Sequence, residues 1–199
     1  MLRVTIFDYG AGNLHSLAKA LAGDGVSVAI EGDPMLALRT DVLVLPGVGN
    51  FRQAAARLTP ARTAMRDAIR AGLPTLGVCL GMQLLFDAST EGPGRGLGVI
   101  AGRVSRLAAF RVPHIGWNTV DDARDPLFRA APLRTAYFAN GYACRPDDDT
   151  LVTAWTTHDR DRFPAVVRAG RTVGVQFHPE KSSIAGVQFV RAFLAGFSA

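Results

Sequence analysis

The chain has 199 residues, of which 48% are hydrophobic and 20% are charged. This composition is typical of a folded domain with a sizeable core and excludes an intrinsically disordered chain, so we expect a single domain over residues 1–199. The net charge of +5 comes almost wholly from arginines scattered along the sequence. Because they form no basic block, a nucleic-acid-binding protein is not expected.

The amino-terminal sequence does not resemble a secretion signal. Its apolar stretch is interrupted by Asp8 and has no small-residue cleavage site behind it. No apolar run approaches the roughly 20 residues that cross a bilayer. The two cysteines, Cys79 and Cys144, are too few for a disulfide framework. We therefore expect a cytoplasmic protein with two free thiols.

In the first half of the chain, short apolar runs alternate with segments of helical spacing. The predicted strands are Val4–Phe7, Val26–Ile30, Val42–Leu45 and Thr75–Val78. The predicted helices are Leu14–Leu21 with Asn13 as its N-cap, Ala54–Ala71 with a break at Pro60, and a helix that begins with Met82–Phe86. This alternation predicts an α/β fold with a mostly parallel sheet and helices on both faces.

The second half consists of shorter strand-like runs separated by turns, and it ends with an amphipathic helix at Ile184–Phe197. The predicted strands are Val99–Arg106, Gly116–Val120, Ala136–Phe138, Leu151–Thr157, Ala165–Arg168 and Val173–Gln176. The predicted loops are Gly92–Gly98 and the polar surface clusters Asp121–Asp125 and Pro146–Asp149. Cys144, beside Arg145, is placed in a turn region.

Cys79 lies on a predicted strand-to-helix turn, in the segment GVCLG at 77–81. This is the nucleophile-elbow pattern with cysteine in place of serine, in which larger side chains at the glycine positions would collide with the adjoining strand and helix. The helix N-terminus would stabilise a thiolate, and the N–H of Leu80 would face a developing oxyanion. A lone cysteine is more often a small buried hydrophobic residue, but the glycine frame favours a nucleophile.

A thiol nucleophile needs a base and a group that orients the base. His178 ends an apolar strand, at the sheet edge where open α/β folds build their sites. Pro179 biases His178 toward an extended backbone, and residues two apart in an extended segment project to the same side. Glu180 is therefore predicted to accept a hydrogen bond from one imidazole nitrogen while the other faces Cys79. The remaining histidines are predicted to be structural or exposed: His15, His114 and His158.

A glycine-containing loop, Pro46-Gly47-Val48-Gly49, directly follows the predicted strand Val42–Leu45. Two glycines at a strand end let backbone N–H groups approach a ligand, so the loop could complete an oxyanion hole with Leu80; it could equally be a tight turn. It lacks the Gly-Lys-Ser/Thr ending of a phosphate-binding loop. The sequence contains no clustered metal-ligand spacing, so no metal site is expected.

Several segments resemble the triad (class I) glutamine amidotransferases. The segments GVCLGMQ at 77–83 and FHPEKS at 177–182 match that family's two signature segments. Within the family, the chain is similar to the glutaminase subunits of imidazole glycerol phosphate synthases, in histidine biosynthesis. That narrower resemblance is carried by DYGAGNL at 8–14, PGVG at 46–49, PHIGWN at 113–118 and Tyr137-Phe138. The resemblance spans the chain from end to end.

The resemblance implies a flavodoxin-like α/β fold and glutamine hydrolysis through a γ-glutamyl thioester, without a cofactor. Cys79 would be the nucleophile, His178 the base and then the acid, and Glu180 the group that orients the histidine. The residues implied in the glutamine pocket are Gly47, Val48, Gly49, Leu80, Gln83 and Tyr142.

The resemblance also implies a partner, a cyclase subunit with a (β/α)8 barrel, which would receive the ammonia for imidazole ring formation. Asn13, Trp117 and Lys181 match positions expected at or near the docking face. One segment departs from the family, in which His-Ser or His-Thr commonly follows Tyr-Phe-x, whereas this chain has Asn140-Gly141. Main-chain contacts with glutamine would survive this change even where side-chain contacts do not.

Alternative functions come from two classes. One is a glutaminase that serves another synthase, such as anthranilate synthase, or a related cysteine hydrolase with the same elbow; the segment Pro113–Asn118 argues against both. The other is a non-catalytic flavodoxin-like binding module, against which Cys79, His178 and Glu180 argue together.

Overall fold

The computed structural model describes residues 1–197. Its strands are β1 (Leu2–Phe7), β2 (Val26–Glu31), β3 (Val42–Leu45), β4 (Thr75–Val78), β5 (Ala88–Ser89), β6 (Gly102–Arg106), β7 (His114–Thr119), β8 (Thr135–Asn140), β9 (Tyr142–Pro146), β10 (Val152–His158), β11 (Asp161–Ala169) and β12 (Thr172–Val175). Its α-helices are α1 (Leu14–Leu21), α2 (Pro34–Ala37), α3 (Phe51–Leu58), α4 (Arg62–Arg70), α5 (Leu80–Leu84), α6 (Leu127–Ala130) and α7 (Ser183–Ala195).

The central sheet has seven strands in the order β10-β11-β12-β4-β3-β1-β2. The five strands from β12 to β2 are parallel, and β11 and β10 extend the sheet as antiparallel neighbours. The prediction of a mostly parallel α/β sheet is therefore confirmed. Two smaller sheets, β5-β6-β9 and β7-β8, lie outside it.

The core forms two hydrophobic clusters, and β3 shows why both faces of the sheet are covered. Val42 and Val44 belong to the cluster that includes residues of α1 and α7, whereas Leu43 and Leu45 belong to the cluster with α3, α4 and α5. Successive side chains of a strand point to opposite faces. A central parallel strand covered by helices on both sides therefore consists of apolar residues throughout.

The parallel strands also bring their carboxyl ends to one edge of the sheet. The segments that follow β1, β3, β4 and β12 are 8–13, 46–50, 79 and 176–178. These are the segments that carry most of the sequence motifs. In open α/β sheets, ligand sites are built at this edge.

The break predicted at Pro60 is confirmed, because a 3₁₀ turn at Thr59–Ala61 divides the predicted helix Ala54–Ala71 into α3 and α4, and Pro60 cannot donate a backbone hydrogen bond. Two other predictions about the helices need correction. The chain enters α3 earlier than predicted, because the Asn50 side chain caps it by accepting from the N–H of Gln53. Asn13 precedes α1 but does not cap it with its side chain, since its backbone is left-handed, with φ of 60°.

In the second half, the strand β9 was not predicted, and Cys144 is not in a turn but on this strand, opposite Val104 of β6. Little in the sequence indicates this strand, because β9 is short and lies between Gly141 and the polar loop that begins after Pro146. The Asp121–Asp125 cluster is not wholly a surface loop either. Asp125 is buried and forms an ion pair with Arg168, with 2.6 Å between Nε and Oδ2.

Candidate active site

Cys79 occupies the turn between β4 and α5, where its backbone has φ of 47° and ψ of −102°. A positive φ is uncommon for a residue with a side chain, and strained positions of this kind occur at functional sites. The neighbouring glycines are required sterically. A Cβ at Gly77 would lie 2.8 Å from the backbone of Gly81, and a Cβ at Gly81 would lie 2.0 Å from the carbonyl oxygen of Leu45. The Gly-x-Cys-x-Gly spacing is thus what allows the tight strand-to-helix turn.

His178 and Glu180 form a buried pair at the end of β12. Nδ1 of His178 lies 2.9 Å from Oε1 of Glu180, and the two side chains are only 2% and 4% exposed. The predicted hydrogen bond between His178 and Glu180 is present, but the backbone conformation that forms it differs from the prediction. Pro179–Lys181 form a 3₁₀ turn instead of an extended segment, and this turn brings the carboxylate back toward the ring. The bond fixes the ring so that Nε2 is free to interact with Cys79.

Burial alone would lower the pKa of His178 by disfavouring its charged form. The charge and hydrogen bond of the Cys79 sulfur and the interaction with Glu180 outweigh this effect and raise the pKa of His178 to about 10. The imidazole is therefore protonated at neutral pH when the sulfur is a thiolate. This arrangement suits a nucleophile whose base has already taken the thiol proton.

The loop Pro46–Gly49 packs directly against these groups. A Cβ at Gly47 would lie 3.1 Å from Cε1 of His178, so only a glycine fits without displacement of the ring. The Gly47 carbonyl accepts a hydrogen bond from the N–H of Leu80, with 3.4 Å between N and O. The N–H predicted to face an oxyanion is therefore occupied by the protein's own carbonyl. The loop is anchored from the other side, because Tyr9 donates to the Pro46 carbonyl through its hydroxyl.

A pocket of about 230 Å³ opens beside the sulfur of Cys79. It brings together eight of the predicted catalytic and substrate-binding residues: Gly47, Val48, Gly49, Cys79, Leu80, Gln83, Tyr142 and His178. Glu180 lies behind His178 and does not line the pocket. The volume suits a small polar molecule, and the pocket lies at the edge of the sheet where the parallel strands end.

Two further polar residues reach this site without having been predicted. Glu91 lines the pocket and accepts hydrogen bonds from Asn50 and from the N–H of Phe51. Gln176 is fully buried and donates to Cys79, with 3.4 Å between Nε2 and Sγ. In the sequence, only its position two residues before His178 points to a place in the site. A glutamine at the end of an apolar strand is not by itself a catalytic pattern.

Asn140, which departs from the pattern of the resembled family, is buried and lines the pocket. Its Nδ2 donates to the carbonyl of Tyr142 over 3.0 Å. The side chain therefore supports the local backbone, and the adjacent Gly141 offers only main-chain groups to the pocket.

The three residues predicted at a docking face are exposed. Trp117 is 54% exposed and packs edge-on against Tyr137, with ring centroids 6.3 Å apart. Nζ of Lys181 lies 5.9 Å from the centroid of the same Tyr137 ring. Asn13 precedes α1, which packs against the 3₁₀ turn that carries Lys181. Trp117 and Lys181 thus share one patch beside the pocket, and Asn13 lies on a neighbouring element.

The remaining histidines lie outside the pocket. His114 and His158 stack on one another with 4.0 Å between ring centroids, and burial, followed by the charge of His158, lowers the pKa of His114 to about 4. Within residues 1–197, no group of three or more potential ligands could hold a metal ion. Over the same residues, no helix is long and apolar enough to cross a membrane.

Comparison with known proteins matches the chain to relatives along its length. The family model for class-I glutamine amidotransferases matches residues 5–195. The imidazole glycerol phosphate synthase subunit HisH of Symbiobacterium thermophilum is 44% identical over 196 residues, covering 96% of this chain and 92% of the relative. The protein of the same name from Pyrococcus furiosus is 41% identical, covering 97% and 98%.

Solved structures extend the similarity to the fold. A crystal structure described as a glutamine amidotransferase superimposes with a TM-score of 0.72 at 20% identity, covering 96% of this chain and 97% of the other. The structure of PurLQS from Thermotoga maritima gives the same TM-score at 18% identity and covers both chains completely.

Proposed function

This chain belongs to the class-I glutamine amidotransferase family, and from that premise we propose that it is the glutaminase subunit of an imidazole glycerol phosphate synthase. It hydrolyses glutamine to glutamate and ammonia for use in histidine biosynthesis. The observation that carries the proposal is the placement of Cys79 and His178 at one pocket, with Glu180 hydrogen-bonded behind His178, in a chain about 40% identical to subunits of that name.

The proposed mechanism begins with the thiolate of Cys79, whose proton resides on His178. The sulfur attacks the side-chain carbonyl carbon of glutamine, and the carbon–nitrogen bond breaks as His178 gives its proton to the leaving ammonia. The resulting γ-glutamyl thioester is attacked by water, from which His178 takes a proton. Glutamate leaves and the thiolate is restored. Glu180 holds the imidazole in position and stabilises its charged form.

The oxyanion formed in both steps requires hydrogen-bond donors. We assign this role to the backbone N–H groups of Leu80 and Val48. In the conformation described, the N–H of Leu80 is bonded to the carbonyl of Gly47. The Gly47–Val48 peptide must therefore turn over, which releases Leu80 and directs the N–H of Val48 toward the pocket. The flanking Gly47 and Gly49 make such a rotation feasible.

Substrate recognition in this proposal uses the remaining lining residues. Gln83 and the main chain at Tyr142 contact the glutamine, together with the backbone of Gly47 to Gly49. Glu91 is the acidic side chain at the pocket and is suited to face the α-ammonium group of an amino acid. Asn140 donates to the Tyr142 carbonyl through Nδ2, and this hydrogen bond supports the wall of the pocket.

The proposed partner is a cyclase subunit with a (β/α)8 barrel, which docks beside the pocket over Asn13, Trp117 and Lys181 and receives the ammonia. The chain acts as one domain in this heterodimer, in the cytoplasm, and needs no cofactor. An exposed tryptophan and lysine beside the site fit an interface that is aromatic at its centre and polar at its rim.

The test compares the unaltered chain with Cys79→Ser in the presence of the barrel cyclase and its phosphoribosyl substrate. We expect the serine variant to lose glutamine-dependent ring formation but to retain docking and synthesis from added ammonium, because the partner performs that chemistry. An anthranilate synthase partner serves as the comparison arm. Substantial glutamine hydrolysis by Cys79→Ser, or coupling to the anthranilate partner alone, would contradict the proposal.

A further inference from the structure

A second polar side chain lies against the sulfur of Cys79 besides His178. Gln176 follows β12 and is fully buried. Its Nε2 lies 3.4 Å from Sγ of Cys79, and its backbone N–H donates to the carbonyl of Ala165 over 2.9 Å, which anchors the start of the side chain. A buried amide N–H is nearly always hydrogen-bonded. Here the acceptor is the nucleophile itself.

The direction of the Gln176 amide is fixed by its neighbours. The carbonyl of Tyr142 can only accept, so Gln83, at 3.2 Å, must present its NH₂ group to it. The same Nε2 lies 3.4 Å from Oε1 of Gln176. If Gln176 were turned over, two NH₂ groups would face one another and an oxygen would face the sulfur. The backbone carbonyl of Tyr142 therefore determines that the N–H of Gln176 points at Cys79.

We infer that Gln176 is a catalytic residue that stabilises the thiolate of Cys79 by an N–H···S hydrogen bond, and that Gln83 is a positioning residue that holds the Gln176 amide. This inference rests on the proposed role of Cys79 as nucleophile. An anion in a buried site is costly unless it is hydrogen-bonded. Hydrogen bonds to a charged acceptor are roughly twice as strong as those between neutral groups.

Gln83 and Gln176 differ in their position relative to the substrate pocket. Gln83 lines it, whereas Gln176 lies beneath it and does not. Loss of the Gln176 donor should therefore lower kcat for glutamine with little change in KM. Loss of Gln83 should raise KM as well, because it removes a pocket contact together with the support of Gln176.

The other ionisable groups around the sulfur do not obscure the effect of Gln176 on the Cys79 thiolate. Besides His178, with Glu180 behind it, Tyr9 and Cys144 interact electrostatically with Cys79, and Glu91 and Lys181 lie further out at the pocket. Burial, followed by the charge of Cys79, raises the pKa of both Tyr9 and Cys144 above their ordinary values. Both stay protonated below about pH 8.5, the ordinary value of a free thiol. In that range, alkylation of Cys79 therefore reports on its pairing with His178 and Gln176.

The experiment measures the rate of alkylation of Cys79 by iodoacetamide against pH in the full chain, with modified peptides identified by mass spectrometry. In Gln176→Met, which keeps the length of the side chain but removes the donor, we expect the half-maximal rate to move about one to two units toward higher pH. Gln83→Met should give a smaller shift in the same direction. Thr156→Val is the matched control, because Thr156 is a fully buried threonine of β10 and should give an unchanged profile.

Gln176→Glu keeps the volume of the side chain and provides a second variant if Gln176→Met does not fold. Its carboxylate, once ionised, repels the thiolate, so the midpoint should again rise. If the pH of the half-maximal alkylation rate were unchanged in either folded variant, the inference would be overturned, even if the protein hydrolyses glutamine. Conversely, a shifted midpoint in a chain that releases no ammonia from glutamine, even with the barrel cyclase and its ligand present, would contradict the proposed function and leave the hydrogen bond to the sulfur established.

Discussion

At the scale of single residues, the two cysteines present opposite environments for the same thiol group. Cys79 lines the pocket, next to the imidazole of His178. Cys144 is fully buried on β9, where burial, followed by the charge of Cys79, raises its pKa. Since the thiolate is the reactive form, access and ionisation both favour reaction at Cys79.

A glutamine-like electrophile should therefore label Cys79 and spare Cys144. Mass spectrometry of the digested protein measures the modification at each site. We expect Cys144→Ala to be labelled to the same extent as the unaltered chain and Cys79→Ser to remain unlabelled. Preferential modification of Cys144 would count against the assignment of the nucleophile.

Against the effect of burial, the Cys79 sulfur and then Glu180 raise the pKa of His178, and together they should set the alkaline limit of activity. Because the pKa of His178 is raised to about 10, the proton needed by the leaving ammonia is present at neutral pH and is lost as the pH rises through that value. Glu180→Gln removes a carboxylate that favours the charged ring, so the alkaline limb of kcat should move about one to two units toward lower pH.

Glu91→Gln is the matched control for this pH profile. Glu91 is also a carboxylate of the site, but its hydrogen bonds go to Asn50 and Phe51 and not to His178. We expect this variant to raise KM for glutamine, as proposed for its contact with the ammonium group, and to leave the alkaline limb in place. Equal displacement of the limb in both variants would mean that general loss of charge, and not the bond to His178, sets the limit.

At the scale of elements, the close approach of α5 to β3 depends on one missing side chain. An added methyl group at Gly81 would meet the carbonyl oxygen of Leu45 at 2.0 Å, and this backbone atom cannot move without displacing the sheet. We expect Gly81→Ala to lower the free energy of unfolding by about 3 kcal/mol and to remove most glutaminase activity by displacing Cys79. Urea denaturation and ammonia release measure the two effects.

Gly23→Ala tests whether the effect is specific to the contact. Gly23 has nothing within 4 Å of the position of an added Cβ, so its substitution should change the free energy of unfolding by no more than about 0.5 kcal/mol. If Gly81→Ala were as stable and active as Gly23→Ala, the steric explanation for the glycines at positions 77 and 81 would be wrong.

The elements also show how far the sequence determines the site. Apolar strands with helices between them predicted the parallel sheet, since both faces of the central strands β3, β4 and β12 are buried, and the glycines on either side of Cys79 predicted the turn there. Two features could not be predicted because they depend on distant partners. The strand β9 forms only by pairing with β6, and Gln176 reaches Cys79 across 97 residues of sequence.

At the scale of the whole molecule, the occupied Leu80 N–H implies a low resting activity. The Gly47 carbonyl takes the donor that the oxyanion needs, and loss of one such donor typically lowers kcat by about 10²–10³. We expect the isolated chain to be a weak glutaminase, and a cyclase partner with its nucleotide-like ligand to raise kcat by at least that factor. The measurement is kcat for the chain alone, with the partner, and with the partner and ligand. A free chain as fast as the full complex would contradict this reading of the loop.

The hydrogen bond between Gly12 and Val48 bears on how such activation could travel. The N–H of Gly12 donates to the carbonyl of Val48 over 3.3 Å, and Gly12 directly precedes Asn13, which we propose to lie under the partner. Val48 also supplies the N–H of the neighbouring Gly47–Val48 peptide that must rotate, so a displacement of that turn would reach this residue directly and not through the core. The coupling between the two enzymes would therefore be local, because the contact that seals the passage for ammonia would also displace this loop, and ammonia would be released mainly when the enzyme that consumes it is bound.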